Sequence, residues 1–588
     1  MSSIEQIRHS YAHLLAAVIE KMYPGAKNTI GPAVENGFYY DFEFPTGEDD
    51  KSAGPTNKDF LKIESNMRKL LPHWKGFEKI VVTADEARAK FNNNPYKLEL
   101  IEEIVKKGEK ITLYKSGEFI DLCRGGHSDI KDMKPDAFKI DRIAGAYWRG
   151  DEKNKMLTRI YGLAFSTKEE LDAYLAQQEE MKKRDHRILG KDLQLFTFSP
   201  IVGSGLPIWL PKGATVRRIL ERFIVDTEIE WGYLHVNTPD IAKLDLYKKS
   251  GHYPYYKESM YAPIKIDEDE FMLRPMTCPH HFQIFSDSPK SYRDLPMRIA
   301  ELAKLYRYEA SGELSGLIRV RGFCLADAHI IAADESQAKS EVMKALDLIE
   351  YIAKIFGLAQ GQDYRYRLSL GDRSNSVKYY KNDEAWSKGE AVLREVLQER
   401  KCSFFEVENE AAFYGPKIDI QMKDVRGKEN TAFTVQYDFC MPDRFELEYT
   451  AQDGTKRRPI VIHRSSIGAI ERVMAFLIEH YAGNFPLWLA PVQVKICPVR
   501  ETNFDCAKEV GEILAKTGIR VDVDLSPAGF GKKIREANDM KIPYTIIIGD
   551  QDMKKGVVTL ESRDKGKIGE MEVEKVSEIL TKESESKK

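Results

Sequence analysis

Cysteine is scarce in this chain of 588 residues. The seven cysteines are odd in number and include no C-x-x-C pair, which disfavours a disulfide framework and favours a reducing cytoplasm. Long hydrophobic runs are also missing: no stretch of about 18 uninterrupted apolar residues occurs, and no charged-then-apolar leader follows Met1. We therefore expect a chain that neither spans a membrane nor is exported.

A strong charge of either sign is absent as well. The sequence has 89 Lys and Arg against 92 Asp and Glu, a net charge of −3, so the chain has no overall attraction to nucleic acid. Any polynucleotide must be bound by local basic surfaces. Apolar residues make up 42% of the sequence, and its length exceeds what one hydrophobic core supports, so about two to four domains are expected.

Residues 1–167 have the pattern of a compact α+β domain. Apolar residues at helical spacing predict an amphipathic helix over Ile4–Met22, which Pro24-Gly25 stops. Strand-like and helical segments follow it. The strands are expected at Gly37–Phe42, Ile111–Tyr114, Phe119–Leu122 and Met156–Tyr161, and the helices near Asn57–Leu71 and Thr83–Phe91.

Three further regions follow along the chain. Residues 168–191 predict a charged helical linker whose basic cluster, Lys182 to Arg187, is typical of a solvated connector, with tRNA contact as the alternative. Residues 192–486 carry strand, hairpin and helix signals without βαβ alternation, which predicts a mixed or mainly antiparallel sheet. Residues 487–580 predict a small α/β domain with right-handed crossovers, and 581–588 a disordered tail. The last domain's strands are expected at Val492–Ile496, Val521–Val523 and Tyr544–Ile548, and its helices at Cys506–Thr517 and Lys532–Met540.

Two arginines in the central block have the chemistry of nucleotide ligands. Arg307 stands in Tyr306-Arg-Tyr-Glu309 and Arg472 in Gly468-Ala-Ile-Glu-Arg472, and a guanidinium suits a phosphate or the face of a purine. A glycine-bearing hairpin connection, Ser311–Leu317, lies between them and leads towards Arg319 and Phe323. Either arginine alone is as compatible with a surface ion pair.

Taken together, these segments resemble the three signature motifs of class II aminoacyl-tRNA synthetases, with Trp231–Pro239 as the first. The resemblance implies an antiparallel-sheet catalytic core, ATP with Mg²⁺, and a homodimer through the first-motif helix. Arg307 would hold the α-phosphate and Glu309 the adenine amino group, with the adenine between Phe323 and Arg472. The implied ATP-binding set is Arg307, Glu309, Arg319, Phe323, Gln436 and Arg472, and the implied catalytic set is Arg307, Arg472 and Lys417.

Cys278, His329 and His463 are candidate zinc ligands on separate segments. One Cys with two His leaves a fourth position open, as catalytic zinc sites require, although distant Cys and His are more often unrelated core residues. Their segments resemble the zinc site of threonyl-tRNA synthetases, which implies one Zn²⁺ per chain that binds the amino and hydroxyl groups of threonine. Shape alone separates threonine from valine only about a hundredfold, whereas a ligated hydroxyl rejects valine strongly. The resemblance also implies a threonine pocket of His252, Met276, Asp327, Tyr414, Lys417 and Thr434.

Serine has the hydroxyl and lacks only a methyl group, so a second, hydrolytic step is expected. His9-x-x-x-His13 places two histidines on one helical face, and Asp121, Cys123 and His127 follow later. From the residues alone, this group is a zinc cage, a hydrolytic site or a packed cluster.

The N-terminal domain resembles the editing domain shared by threonyl- and alanyl-tRNA synthetases. The resemblance implies a metal-free water activated by His9 and Lys97, the latter in Asn94-Pro-Tyr-Lys97. The other four residues would shape the pocket and hold the terminal adenosine of tRNA. They are His13, Asp121, Cys123 and His127.

The C-terminal domain resembles the anticodon-binding domain of the same synthetase subgroup, through Gly531–Asn538 and Ile542–Gly549. Unpaired anticodon bases can be read individually by polar side chains. The candidate tRNA contacts are Lys532, Lys533, Arg535 and Arg563, each with a solvated charge as the alternative.

The sequence departs from the family pattern at few places. We expect the chain to begin at the editing domain, without the ubiquitin-like domain that many bacterial members carry. Leu325 stands where a glutamine is common, Ala326 where an acidic residue is frequent, and Ala469 where a serine is common. We expect altered amino-acid affinity with threonine still preferred.

Three alternatives compete with a threonyl-tRNA synthetase. A prolyl or seryl enzyme with a fused editing module shares the motifs, but lacks the Cys/His/His set. A catalytically dead RNA-binding paralogue would lose Arg307, Arg472 or a zinc ligand, and none is lost. A free-standing editing factor would lack the activation core.

Overall fold

The computed structural model describes residues 2–45 and 54–587. The chain forms two compact units, residues 1–180 and 181–588. Among the helices that the structure describes, none combines the length and apolar character needed to span a bilayer.

The N-terminal unit is an α+β structure. Helix α1 begins after Ser3, whose hydroxyl accepts a hydrogen bond from the Gln6 amide in a capping box. A five-stranded antiparallel sheet runs in the order β1-β3-β8-β7 with β2 beside β3, and β4-β5-β6 form a second antiparallel sheet. The helices are α1 Ile4–Met22, α2 Phe60–Leu70, α3 Ala84–Lys90, α4 Pro95–Lys106 and α5 Lys168–Arg184, which extends past the unit's last residue. The strands are β1 Lys27–Asn28, β2 Ala33–Val34, β3 Gly37–Glu43, β4 Glu78–Val82, β5 Ile111–Ser116, β6 Phe119–Leu122, β7 Phe138–Tyr147 and β8 Met156–Ala164.

An eight-stranded sheet dominates the second unit. Its order is β11-β15-β16-β23-β20-β19-β17-β18, and only the outer pairs β11-β15 and β17-β18 are parallel. The helices are α6 His186–Asp192, α7 Pro211–Glu230, α8 Leu244–Ser250, α9 His252–Tyr255, α10 Cys278–Ser286, α11 Glu335–Ile355, α12 Asp383–Glu399, α13 Met441–Arg444 and α14 Ile470–His480. The strands are β9 Phe196–Thr197, β10 Ile208–Trp209, β11 Leu234–His235, β12 Ile241–Lys243, β13 Ile264–Ile266, β14 Asp269–Leu273, β15 Met297–Tyr306, β16 Gly322–Ala332, β17 Tyr364–Ser369, β18 Phe404–Val407, β19 Lys417–Lys423, β20 Glu429–Asp438, β21 Tyr449–Thr450, β22 Lys456–Arg457 and β23 Ile460–Ala469.

The large sheet buries one face under helices. Apolar side chains of α7, α11, α12 and α14 pack with its strands in one core. The opposite face of the central strands carries the polar side chains described below. The sheet therefore provides a rigid floor for a site on its other face.

The C-terminal part of the second unit holds a mixed five-stranded sheet in the order β25-β24-β26-β27-β28. Strand β24 pairs in parallel with both neighbours, and β26, β27 and β28 are antiparallel. The strands are β24 Val494–Pro498, β25 Val521–Val523, β26 Tyr544–Ile548, β27 Val558–Ser562 and β28 Gly566–Met571. The helices are α15 Phe504–Lys516, α16 Phe530–Asp539, α17 Asp550–Lys555 and α18 Val573–Ser586.

The expected disordered tail is wrong for the described part of 581–588. Helix α18 continues to Ser586, because Val576 and Leu580 bury its apolar side in the core of the C-terminal sheet. Beyond Leu580 the helix is held by hydrogen bonds, since Glu583 accepts from the Tyr544 hydroxyl at 2.7 Å and Ser584 accepts from Gln493 Nε2 at 3.1 Å.

Candidate functional site

Strand register brings the central candidate residues together. His329 of β16 pairs with His463 of β23, which pairs with Gln436 of β20, and Gln436 pairs with Lys417 of β19. A second row, two residues away on each strand, consists of Asp327, Ser465, Thr434 and Asp419. Side chains two residues apart share one face of a sheet, so the two rows form one polar surface across four strands.

This surface is the floor of a cleft. Fourteen of the fifteen candidate residues from the central block line it, and the fifteenth, His252, contacts the lining residue Cys278 with Nε2 3.8 Å from Sγ. The fourteen are Met276, Cys278, Arg307, Glu309, Arg319, Phe323, Asp327, His329, Tyr414, Lys417, Thr434, Gln436, His463 and Arg472.

Cys278, His329 and His463 fit a metal ion. Their candidate ligand atoms lie within 4.8 Å of one another, and all three residues are buried. Burial raises the pKa of the Cys278 thiol well above its ordinary value, so a thiolate here needs a nearby cation. The set of one thiol and two imidazoles is characteristic of zinc, with room for a substrate atom as the fourth ligand.

Each candidate histidine ligand is oriented by a second group. His463 Nε2 donates to Asp438 Oδ2 at 2.6 Å, and His329 Nδ1 lies 2.8 Å from His281 Nδ1. His281 Nε2 is 3.3 Å from Glu301 Oε2. Such outer contacts hold metal-ligating imidazoles in place. Sequence reasoning gave Asp438, His281 and Glu301 no role; the doubled His280-His281 was the only available signal.

Basic and aromatic groups surround the nucleotide side of the cleft. Arg307 lies over the Phe323 ring at 5.2 Å, and Arg319 Nε donates to Glu309 Oε2 at 2.8 Å. Arg472 donates from Nε to Ile318 O at 3.0 Å and from Nη1 to Thr431 O at 2.6 Å. Burial, together with the neighbouring Arg307 charge, lowers the pKa of Arg472 to about 10. These positive groups favour a polyanion between them.

The polar floor is internally hydrogen-bonded. Tyr414 donates to Gln436 Oε1 at 2.6 Å, and Asp419 binds Lys417 at 3.1 Å and the Thr434 hydroxyl at 3.1 Å. Burial would raise the pKa of Asp419, but the charge of Lys417 and further hydrogen bonds hold it below its ordinary value. The floor is thus preorganised before any substrate binds.

Asp327 and His252 are two buried titratable residues of the threonine-pocket candidates. Asp327 accepts a hydrogen bond from the Thr277 hydroxyl, and burial raises its pKa. His252 shares a 2.7 Å hydrogen bond with the Ser250 hydroxyl, and burial lowers its pKa to about 3, so its imidazole is neutral.

The three single residues that depart from the family pattern, Leu325, Ala326 and Ala469, differ in position. Leu325 and Ala469 line the cleft, where each leaves an apolar surface. Ala326 lies on the opposite face of β16 and is buried in the core, so its side chain does not reach the cleft. Only its backbone oxygen contributes, by accepting from the Ser465 hydroxyl at 2.9 Å.

The N-terminal unit contains a second cluster. His9 Nε2 lies 3.2 Å from Cys123 Sγ and 3.4 Å from His13 Nε2, and His127 Nε2 lies 3.6 Å from the same sulfur. His13 Nδ1 pairs with Asp121 at 3.2 Å. Helix α1, strand β6 and the loop after β6 therefore assemble the predicted group.

Lys97 is also part of this cluster, in an unexpected position. Its ammonium is 1% exposed and binds Asp121 Oδ1 at 2.5 Å, while Tyr40 donates to Asp121 Oδ2 at 2.5 Å. Burial would raise the pKa of Asp121, but Lys97 and His13 hold it well below its ordinary value. The ammonium is engaged by Asp121 and the Tyr40 hydroxyl, and the activation of a water by Lys97 together with His9 stays a prediction.

His13 and Cys123 in this cluster also have shifted pKa values. Burial alone would lower the pKa of His13, yet its hydrogen bonds to Asp121 and Cys123 raise it to about 9. Burial alone would raise the pKa of Cys123, yet hydrogen bonds from His127, His13 and His9 lower it to about 4. At neutral pH the cluster thus contains a thiolate beside an imidazolium.

Two of the four tRNA-contact candidates, Lys533 and Arg563, have donors engaged by groups of the protein itself. Lys533 is 2% exposed and donates to Asp524 O at 2.8 Å, so it is not free to bind a base. Arg563 donates to Lys541 O at 2.8 Å and pairs with Asp564. A tRNA contact by these two residues stays a prediction, and it would require them to give up hydrogen bonds within the fold. Lys532 and Arg535, on the outer side of α16, are exposed.

Three families match this chain. They are the tRNA synthetase class II core domain (G, H, P, S and T) at residues 261–481, the anticodon binding domain at 493–583, and the threonyl and alanyl tRNA synthetase second additional domain at 111–161. The mainly antiparallel eight-stranded sheet, with arginines beside its polar floor, is the core of a class II aminoacyl-tRNA synthetase.

Similar proteins identify the family within this class. A threonine–tRNA ligase of Geobacillus sp. (strain WCH70) is 48% identical over 578 residues, which cover 98% of this chain and 87% of the relative. The Listeria monocytogenes threonine–tRNA ligase is also 48% identical, covering 94% and 85%. The chain belongs to the threonine–tRNA ligase family.

Solved structures agree with the fold. The RNA binding domain of a Cryptosporidium parvum threonyl-tRNA synthetase matches with a TM-score of 0.64 and 36% identity, covering 68% of this chain and 98% of that one. A prolyl-tRNA synthetase of the same organism, complexed with L-proline and AMP, has a TM-score of 0.51 at 16% identity, covering 68% and 76%, and supports the fold alone.

Proposed function

We propose that this chain joins L-threonine to tRNA(Thr) with ATP and Mg²⁺, through a threonyl-adenylate. One observation carries the proposal: the Cys278, His329, His463 group and the arginines Arg307 and Arg472 line the same cleft. The arginines would stabilise charge on the α-phosphate as the threonine carboxylate attacks it. Lys417, fixed by Asp419 on the polar floor, adds positive charge beside them.

The fit of Cys278, His329 and His463 supports one Zn²⁺ per chain. Zinc held by these residues would supply a Lewis-acidic position for the amino and hydroxyl groups of threonine. Met276, Tyr414 and the neutral His252 would enclose the amino acid, and Asp327 would face its amino group. Valine, which has no hydroxyl, leaves the ligand position unfilled and is rejected.

The test is amino-acid-dependent pyrophosphate exchange with threonine, serine, valine and proline, together with zinc analysis. Exchange with threonine, weaker exchange with serine, none with valine and about one zinc per chain are expected. Proline activation would contradict the substrate, and exchange with no amino acid would contradict the activity.

A second activity, hydrolysis of Ser-tRNA(Thr), is supported by the N-terminal cluster. We infer that a water beside His9 loses its proton to the His9 imidazole without a metal ion, and that the Cys123 thiolate stabilises the imidazolium that forms. Lys97 acts through Asp121, which fixes the charged His13. The test is deacylation of Ser-tRNA(Thr): His9→Ala should abolish it and leave pyrophosphate exchange intact, whereas Lys97→Met should weaken it together with the acidity of Cys123. Full deacylation by both variants would contradict the assignment.

We also propose a cytoplasmic homodimer. The end of α7 and strand β11 expose apolar side chains, Ile229 at 55% and Leu234 at 57%. Exposed apolar groups on the first motif fit a self-complementary contact. Light scattering should give twice the 67.4 kDa chain mass, and Leu234→Asp should give monomers; a monomeric parent chain would contradict the proposal.

A further inference from the structure

Asp185, His186 and Glu479 form a buried group outside the polar floor. Their side-chain ligand atoms lie within 4.8 Å of one another, as in a metal site. The atoms are engaged otherwise, since Asp185 binds Arg187 with Oδ1 2.9 Å from Nε, and Glu479 Oε2 accepts from the Val425 amide at 2.9 Å. The group is therefore a hydrogen-bonded assembly within the protein.

The partners of His186 define its donor and acceptor atoms. Its Nδ1 lies 2.6 Å from Glu479 Oε1, and the Leu317 amide donates to its Nε2 at 3.1 Å. A carboxylate only accepts and an amide N–H only donates, so Nδ1 carries the proton and Nε2 has a free lone pair. His186 thus connects Glu479 to the backbone of Leu317.

Leu317 belongs to the wall of the nucleotide cleft, with Ile318 beside it. Ile318 O accepts from Arg472 Nε at 3.0 Å. Arg472 and Glu479 are both on helix α14. The helix therefore holds Ile318 directly, through Arg472, and holds Leu317 indirectly, through Glu479 and His186. The backbone before Leu317 passes close to the His186 ring. A Cβ added at Gly316, whose φ is +50°, would lie 2.1 Å from His186 Nε2.

We propose that His186 and Glu479 are positioning residues for ATP. They set the place of the Leu317–Ile318 backbone, and through Ile318 O the direction of the Arg472 guanidinium. The inference rests on the proposed ATP-dependent activity and extends it to a residue of α6 that does not touch the cleft. Loss of the Leu317 contact leaves a buried amide without its acceptor and frees the wall to move.

The paired substitutions His186→Asn and His186→Gln separate the two contacts. An asparagine amide reaches the place of Nδ1 and keeps a donor for Glu479, but offers nothing at Nε2. A glutamine carbonyl reaches the place of Nε2 and can accept from the Leu317 amide. We expect His186→Asn to raise the KM for ATP about tenfold or more, with the KM for threonine changed less than about twofold, and His186→Gln to restore most of the ATP affinity.

The control is His480→Gln, a histidine substitution one residue after Glu479. His480 Nδ1 is 3.6 Å from Asp363, and the residue does not line the cleft, so ATP kinetics should match the parent protein. Equal KM values for ATP in His186→Asn and the parent, or parallel rises for ATP and threonine, would overturn the inference. If His186→Asn does not fold, Gly316→Ala tests the same contact from the wall and should raise the KM for ATP selectively.

Direct ATP binding by calorimetry separates this inference from the proposed function. A parent protein that binds ATP but exchanges pyrophosphate with no amino acid would refute the function, while weaker ATP binding by His186→Asn would still support the positioning role. Unchanged ATP binding by the variant, with threonine exchange intact in the parent, would refute the positioning role alone.

Discussion

At the scale of single residues, His281 determines which nitrogen of His329 can bind a metal. Glu301 Oε2 accepts from His281 Nε2–H at 3.3 Å, which leaves Nδ1 of His281 as an acceptor for the Nδ1–H of His329 at 2.8 Å. His329 then presents Nε2 to the ion. We predict that His281→Gln weakens zinc binding about 10- to 100-fold, measured by competition with a chelator.

The neighbouring His280 offers the matched control. It is also buried, at 8% exposure, but does not contact His329 or Glu301 by a hydrogen bond in the described structure. His280→Gln should therefore keep the zinc affinity of the parent protein. Equal weakening by both substitutions would show that the effect comes from packing and not from the His281 hydrogen bond.

Cys123 leads to a prediction about reactivity. Its pKa of about 4 makes it a thiolate at pH 6, whereas burial raises the pKa of Cys506, another half-buried cysteine. Only the thiolate is alkylated. Iodoacetamide at pH 6 should modify Cys123 well before Cys506, as followed by peptide mass spectrometry.

Because the charged His13 stabilises the thiolate, His13→Gln should shift the alkylation profile of Cys123 to higher pH. An unchanged profile would contradict the charge assignment.

At the scale of elements, local patterns were predicted well. The helix expected at Ile4–Met22 has these bounds in the structure, because its amphipathic spacing, capping box and following Pro24 all lie within one short segment. Strands Phe119–Leu122, Val521–Val523 and Tyr544–Ile548 also match. Helix α4 and strands β7, β27 and β28 were not expected, since their polar residues hide the periodicity; β7, for example, has only two fully buried positions among ten.

The arrangement of the site residues could not be predicted from the sequence, because it depends on strand register. The motifs identified the residue types, but the row from His329 through His463 and Gln436 to Lys417 depends on the register of four strands. Hydrogen bonds between strands far apart in the chain set this register. The orienting partner Asp438 is recognisable only once His463 lies opposite β20.

The junction between β23 and α14 depends on Gly468. Its φ is +67°, and an added Cβ would lie 2.1 Å from Ala432 O on the neighbouring strand β20. We predict that Gly468→Ala destabilises the protein by about 1–2 kcal/mol through the left-handed conformation and about 1–3 kcal/mol more through the clash. Displacement of α14 should also raise the KM for ATP, because the helix carries Arg472.

Gly454→Ala is the control for this substitution. Gly454 has a similar φ of +79°, but an added Cβ meets no described atom within 4 Å. The control should lose only the ~1–2 kcal/mol of the left-handed conformation, and its KM for ATP should not change. A Gly468→Ala protein that melts and binds ATP like the Gly454→Ala protein would refute the clash.

At the scale of the whole molecule, activation and tRNA recognition use surfaces far apart in the sequence. The nucleotide cleft is built from residues before 473, whereas the exposed candidates Lys532 and Arg535 lie on α16 of the C-terminal domain. A net charge of −3 gives no general attraction to RNA, so each local cation that contacts tRNA should have a measurable effect.

The combined substitution Lys532→Ala and Arg535→Ala should therefore raise the KM for tRNA in aminoacylation, and weaken the salt dependence of tRNA binding by about 0.7 per lost phosphate contact. Pyrophosphate exchange needs no tRNA and should not change. Lys516→Ala, which removes an exposed lysine from α15 in the same domain, is the control for a general loss of charge. Lys533→Ala should instead lower the melting temperature, since its ammonium holds Asp524 O inside the fold. An unchanged KM for tRNA in the double variant would move the anticodon contact away from α16, because these two residues are the candidate cations that this helix leaves exposed.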